Sequence, residues 1–470
     1  MKEIETDYLI VGAGASGMGF TDELISNSDA EVVLVDRRHR PGGHWNDGYG
    51  FLRLHQPSAY YGVNSRALGN DRIDPAGPNA GFYERASGAE VCDYYGRVLD
   101  EQMLPTGRVR FLGMSDYVAT GADGHRVVSR LTGDTTTVRV RRKLVDATLL
   151  QTTIAIHHTP KYGVDPDARL VTPHALASLP ESGSGFTVIG AGKTAMDTCW
   201  WLLDQGVAPG RIRWIRPREP WTVDRGHLQP LALMGSFAEW FAVQMEAAAE
   251  ASDGDDFLRR LEESGGHARL DPTVEPEIYR GATLSETERS ALRSIENVVR
   301  LGRVLHVGAR EIKLEHGSIP TERGHIHVDC SAPGLGLPRA TPIFAPGVVR
   351  VQRVQAGIDP FSAALIGFVE ATRDDDRDKN RLCSTMGFFD TTEDFVRGFL
   401  HSQRVRVAWF ADPDVRDWLT RTRLTPLHDA ARHLTDPKAQ AAIGRMVAST
   451  GPAIENLERI VAATPDGAAP

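Results

Sequence analysis

Two short glycine-rich turns constrain this chain more than any other feature. In "DYLIVGAGASG", Gly12, Gly14 and Gly17 follow an apolar run and precede a helix-like stretch. In "FTVIGAGKTAMD", Gly190, Gly192 and Ala195 repeat that spacing after Phe186-Thr187-Val188-Ile189 and before "TAMDTCWWLLDQG". The first glycine of such a turn permits a tight bend and the second lets a pyrophosphate approach the backbone. The third small residue lets the helix pack on the strand. One Gly-x-Gly-x-x-Gly is weak evidence. Two copies, each set between strand and helix patterns and followed by a second strand, specify a pair of dinucleotide-binding βαβ units.

Gly192-Lys193-Thr194 also reads as the end of a triphosphate loop, but that loop needs a glycine at position 187, where Thr187 stands. Without it the backbone cannot wrap a β-phosphate, so the dinucleotide reading prevails. Ala15, Ser16 and Thr194 join the expected cofactor contacts as members of the two turns. Lys193 either neutralises a phosphate or is simply solvated.

The two units differ at the end of the second strand. Val32 to Val35 ends at Asp36, followed by Arg37, where an acid hydrogen-bonds the ribose hydroxyls. Ile212 to Ile215 ends instead at Arg216, with Arg218 beyond it. A guanidinium can bind a 2′-phosphate that an acid would repel. Unit one is therefore expected to take FAD or NAD, and unit two NADP; a solvated strand-end arginine is the bland reading of Arg216.

At 470 residues the chain has room for two or three domains. Its net charge of −9, without a long basic stripe, gives no support to nucleic-acid or membrane binding. No apolar run approaches the roughly 20 residues of a membrane span. The first strand pattern begins almost at residue 1, leaving no room for a signal peptide. Cys92, Cys199, Cys330 and Cys383 lie far apart, which suits a reducing cytoplasm and argues against a disulfide redox centre or a zinc site.

The expected fold is α/β: two Rossmann-like, three-layer dinucleotide-binding domains, the NADP domain inserted in the FAD domain, with a helical insert and a helical C-terminus. The expected boundaries are 1–155 and 333–380 for the FAD domain, 156–332 for the NADP domain, and 381–470 for the C-terminal region. Within the first part, about 107–148 reads as an antiparallel meander ending in a buried strand from Lys143 to Thr148. The insert, about Leu228 to Val304, reads as helical; its Trp240, Phe241 and Met245 suit a core better than a ligand, though such an insert could roof a substrate pocket. "RDDDRDKN", Arg373 to Asn380, reads as a solvated loop, and "ATPDGAAP" as a loose tail.

"GAGASG…VVLVDRRHRPGGHW" resembles the FAD end of the two-dinucleotide-binding-domain flavoproteins, in particular the flavin-containing and Baeyer–Villiger (class B) monooxygenases. Pro41-Gly42-Gly43-His44-Trp45 is similar to their Gly-Gly-x-Trp. The Phe-x-Gly-x-x-x-His-x-x-x-aromatic motif of that family is only partly matched, by His158 and Tyr162, with Thr152 and Ile154 where Phe and Gly belong. The resemblance covers most of residues 1–370 and implies FAD, NADPH and an oxidoreductase. In it, NADPH reduces the flavin, oxygen adds to give a flavin hydroperoxide, and a small organic substrate is oxygenated on nitrogen or sulfur, or by Baeyer–Villiger insertion. It also implies Asn64, His158 and Tyr162 as catalytic candidates. Its implied flavin-side contacts are Gly43, His44, Trp45, His55, Gln56, Val118, Thr148, Phe361 and Ser362. The helix starting near Pro360 would aim its positive end at the flavin. A flavin reductase or dehydrogenase without oxygen insertion, and a non-enzymatic flavoprotein, remain alternatives. Expected partners are a small-molecule substrate and O2, with no nucleic acid or membrane span, and self-association is left open.

Overall fold

A computed structural model describes residues 2–119, 124–150, 152–334, 340–357 and 359–463. Residues 464–470 of the tail expected to be loose lie outside this set.

The first sheet is built around the first glycine turn. Its strands run in the order Phe344–Ala345, Val348–Arg350, Thr135–Asp146, Lys2–Val11, Val32–Val35 and Val109–Leu112. All neighbours are parallel except the outer pair Phe344–Ala345 and Val348–Arg350. Tyr8, Leu9 and Ile10 are fully buried, as a strand covered on both faces requires. Helix Ala15–Ser26 packs on this sheet and against helix Asp359–Thr372. The two helices approach closely through glycine: a Cβ on Gly367 would lie 2.6 Å from the Phe20 carbonyl oxygen.

Two expectations about this region need correction. The meander begins at Ser115 rather than 107, because Val109–Leu112 pairs parallel with Val32–Val35 and belongs to the main sheet. The buried strand from Lys143 is the end of one continuous strand, Thr135–Asp146, which pairs antiparallel with His125–Ser129 at its start and parallel with Lys2–Val11 along its length.

The second sheet runs Val298–Val299, Ile212–Ile215, Gly185–Ile189, His325–Asp329, Arg169–Val171, all parallel. Helix Lys193–Asp204 follows the second glycine turn.

The insert is not purely helical. Helices Met234–Glu250, Gly254–Glu263 and Glu286–Arg293 are joined by a small sheet of His267–Arg269, Pro220–Asp224 and Ile278–Leu284. Helical periodicity hid these strands because they are short and set between helices. Trp240 and Met245 pack with Phe257, Phe395, Phe399 and Leu457 in one core, so the insert and the C-terminal helices fold together. Arg373 to Asn380 is likewise not a simple loop. Helix Asp376–Leu382 occupies most of it, and buried Lys379 pairs with Glu370 at 2.7 Å.

His267 sits inside the insert core, its Nε2 2.7 Å from the Tyr279 hydroxyl, and burial holds its pKa down to about 3. Unfolded histidine titrates near 6.5, so the unfolded chain takes up a proton that the folded chain refuses. The stability from the neutral ring is complete above that pH and is lost as pH falls towards 3. His267→Phe should flatten the acid side of the urea-midpoint-against-pH profile, by about 2 kcal/mol between pH 6.5 and pH 5. An unchanged slope would place the titration elsewhere.

Candidate active site

The two glycine turns open into one cleft of about 2340 Å3. That is more than twice the roughly 300–1,000 Å3 of a single small-molecule pocket.

On the first side, Gly12 adopts φ +99° beneath Thr148 and Ala147. A Cβ on Gly17 would fall well inside contact distance of the Gly12 carbonyl oxygen, so the third glycine is required by packing and not by the ligand. Helix Ala15–Ser26 starts from Gly14, with Gly14, Ala15 and Ser16 lining the cleft. Its free N–H groups suit an anion. Gly43 passes so close to this turn that a Cβ there would lie 2.9 Å from the Gly14 Cα. At the end of the second strand, the Asp36 carboxylate accepts from Ala13 N (2.7 Å) and Arg38 N (2.8 Å). Each oxygen keeps acceptor capacity for a ribose hydroxyl. Arg37, His44, Trp45, His55, Gln56, Thr148 and Phe361 also line the cleft. Burial pushes the His44 pKa down to about 4, so its ring, stacked on Trp45, is neutral at pH 7.

Three residues expected on this side are placed elsewhere. Asn64 does not line the cleft: its Nδ2 donates to Glu23, and its Oδ1 accepts from Thr422 Oγ1 (2.8 Å) and Arg423 N (3.1 Å). Its amide is used in tying the C-terminal region to the first helix. Val118 points away and is 42% exposed, while Asp116 and Tyr117 reach the cleft from the same strand. Ser362 faces inward, its Oγ accepting from Val354 N at 3.2 Å.

On the second side, Gly190 has φ +134°, and a Cβ there would lie 2.5 Å from the Cys330 carbonyl oxygen. Nothing lies within 4 Å of the position a Gly192 Cβ would take, so this glycine faces open space in the cleft. Thr194 lines the cleft and Ala195 is buried against the sheet. Lys193, also lining the cleft, pairs with Asp197 one turn along its helix. Cradles with these glycines, helix starts and an acid on the first side fit FAD and a nicotinamide dinucleotide.

Arg216 is not at the cleft. It is 4% exposed, stacked over Trp214 at 4.7 Å and paired with Glu219 at 3.3 Å. Its side chain turns inward just past the end of strand Ile212–Ile215, whereas Ile215, Pro217 and Arg218 line the cleft. Arg218 is held by both oxygens of Asp390, at 2.9 and 3.2 Å. His158 and Tyr162 are both brought to the cleft: His158 Nε2 lies 3.3 Å from Ser331 Oγ, and the Tyr162 hydroxyl donates to Asp329 at 3.0 Å. Burial and the Asp329 charge raise the Tyr162 pKa, which keeps the phenol protonated.

A charged cluster that no motif announced joins the two sides. Arg225 is fully buried and contacts Glu288 at 2.7 Å, while Arg85 reaches the other Glu288 oxygen at 3.3 Å. Arg225 Nε also donates to the His55 carbonyl oxygen at 3.1 Å. Burial opposes the Glu288 charge, but Arg225, Lys193 and Arg85 outweigh it and bring its pKa down to about 2. Burial, with these cations, holds His55 down to about 3. Nearby, the Tyr49 hydroxyl donates to Asp197 at 2.8 Å, and Phe51 stacks on Trp201 with centroids 4.8 Å apart.

Fold and cleft together define a protein built on two dinucleotide-binding folds that face one another. A family model described as an NAD(P)-binding Rossmann-like domain matches residues 10–54. An oxidized steroid monooxygenase bound to NADP has a similar structure, at 14% identity and a TM-score of 0.52, over 78% of this chain and 85% of that one. The likeness establishes the shared fold. A probable FAD-binding monooxygenase, AlmA of Acinetobacter sp., is 29% identical over 129 residues, 27% of this chain and 21% of AlmA. The chain belongs to the family of the uncharacterized protein Rv2000 of Mycobacterium tuberculosis, to which it is 43% identical over 430 residues, covering 91% of this chain and 79% of Rv2000.

Proposed function

We propose that this chain is an FAD- and NADPH-dependent oxidoreductase, and specifically a monooxygenase acting on a small organic substrate. The observation that carries the reading is the opening of both glycine turns into one cleft, with Asp36 on one side and Arg218 on the other. When bound, the nicotinamide supplies hydride and the flavin supplies electron transfer and oxygen activation. The chain's own residues bind, orient and exclude water. Asp36 takes the flavin ribose, and the helix starting at Gly14 takes the pyrophosphate. The positive end of helix Asp359–Thr372, whose Pro360 and Phe361 line the cleft, favours negative charge there. Neutral His44 and His55 add no competing charge. His158 and Tyr162 line the second side, where the phenol oxygen, its proton engaged by Asp329, can still accept a hydrogen bond.

The 2′-phosphate is proposed to bind Arg218 rather than Arg216, a reading supported by Arg218 lining the cleft. Arg218→Ala should weaken NADPH about tenfold in a fluorescence titration, with NADH binding unchanged, since one charge-assisted fork is lost. Equal loss for both nucleotides would remove the assignment.

The test of the whole reading is anaerobic. FAD-loaded protein is mixed with NADPH while flavin absorbance is followed, and oxygen is then admitted. Bleaching followed by oxygenated product supports a monooxygenase. No bleaching defeats the oxidoreductase reading. Bleaching with all oxygen recovered as hydrogen peroxide, whatever the substrate offered, defeats oxygen insertion and leaves a reductase.

A further inference from the structure

The cleft extends beyond the two turns into a lobe roofed by two helices. Helix Met234–Glu250 lines it with Phe237, Trp240, Phe241 and Gln244, the spacing of one helix face. Helix Thr392–Ala411 faces it with Phe395, Phe399, Gln403 and Arg406, again one face. The walls are aromatic, with Phe237 and Phe241 stacked nearly parallel at 5.9 Å.

Among the lining residues that these two helices contribute, one is charged. The Arg406 guanidinium lies over the Phe241 ring at 4.5 Å and donates to Gln403 Oε1 at 3.2 Å. Among the described residues no carboxylate pairs with it. Arg406 is half-buried, whereas more deeply buried arginines are compensated: Arg85 and Arg225 by Glu288, Arg289 by Asp224 and Glu286. Arg423 donates to three main-chain carbonyls. Burial lowers the Arg406 pKa to about 10, which still leaves it charged at neutral pH. A second, independent donor is open in the same lobe. Gln244 is 4% exposed, and its Nε2 has no hydrogen-bond partner. A buried donor left unmet is costly, and an uncompensated cation more so, until an acceptor arrives.

We propose that this lobe binds an organic acid, its apolar body between the phenyl rings and its carboxylate held by Arg406 and Gln244. The guanidinium fork suits a carboxylate better than a lone hydroxyl or ketone. The assignment deepens the oxidoreductase reading by naming the class of substrate, and rests on it for the meaning of substrate but not for the binding itself.

Calorimetry on the FAD-loaded full chain tests it, with phenylbutyrate and phenylbutanol as matched probes. The acid should bind about tenfold more tightly than the alcohol, the contribution of one charge-assisted pair. Arg406→Met should abolish that preference while leaving alcohol binding and NADP+ binding unchanged. Arg406→Lys, which keeps the charge without the fork, should retain part of it. Equal binding of acid and alcohol by the unmodified protein overturns the proposal without any variant. Loss of NADP+ affinity in Arg406→Met also overturns it, by assigning the cation to the dinucleotide. Flavin bleaching by NADPH, measured on the same samples, reads the oxidoreductase function separately, so failure of one is distinguishable from failure of the other.

Discussion

Replacing Glu288 with alanine should lower the unfolding free energy by about 3–5 kcal/mol, the range for removing one partner from a buried ion cluster. Its carboxylate faces two buried guanidinium groups, of Arg225 and Arg85, which would be left uncompensated in apolar surroundings. The same side chain closes a capping box, accepting from Ser285 N at 2.8 Å at the start of helix Glu286–Arg293. The pH dependence gives an independent measure. With a folded pKa of about 2 against an ordinary value of 4.5, the carboxylate contributes about 3 kcal/mol. That contribution is complete above the unfolded value and is lost as pH falls through the folded one. Urea denaturation of the variant should therefore show a lower midpoint at neutral pH and a shallower acid limb than the parent. A loss below about 1 kcal/mol would mean that water reaches the cluster.

Gly17→Ala should yield a protein that cannot retain FAD. The added methyl group collides with the Gly12 carbonyl oxygen, a backbone atom that cannot rotate away. Gly12 already holds φ +99° under Thr148, so the turn has no slack on its other side. The helix must lift from the strand, and its N–H groups leave the position where a pyrophosphate would sit. The control is Gly192→Ala, where the methyl group enters open space. That variant should fold and hold FAD as the parent does, while binding NADPH less tightly because the backbone can no longer be approached as closely. Absorbance of the purified proteins near the flavin bands decides the first case. A Gly17→Ala protein with parental flavin content would remove the proposed FAD cradle from this turn.

These two substitutions also mark what could be read from the chain before its structure. The glycine turns, their flanking strands and Asp36 are local features, contained in about 30 consecutive residues, so spacing alone locates them. The Arg85–Arg225–Glu288 cluster is assembled from segments far apart in the sequence, and none of its members belongs to a short motif. Arg216 and Arg218 were both visible as cations, but which one reaches the cleft depends on the direction each side chain takes after the strand ends. Asn64 shows the opposite difficulty. It lies in the right region of the chain, yet Glu23, Thr422 and Arg423 engage its amide, and the last two come from beyond the segment that any resemblance covered. The short strands of the insert escaped because Pro220–Asp224 finds its partners only after a helical excursion.

The order of strands in the first sheet bears on how the protein is made. Lys2–Val11 is made well before its later partners: the far edge of its neighbour Thr135–Asp146 pairs with His125–Ser129 at its start but with Val348–Arg350 at its end, and its helix layer is completed by Asp359–Thr372. Between them the whole second sheet must be synthesised. Vectorial synthesis therefore lets the inserted unit mature before the unit that surrounds it, and the strands that open the first sheet wait, half-clothed, for partners translated more than 300 positions later.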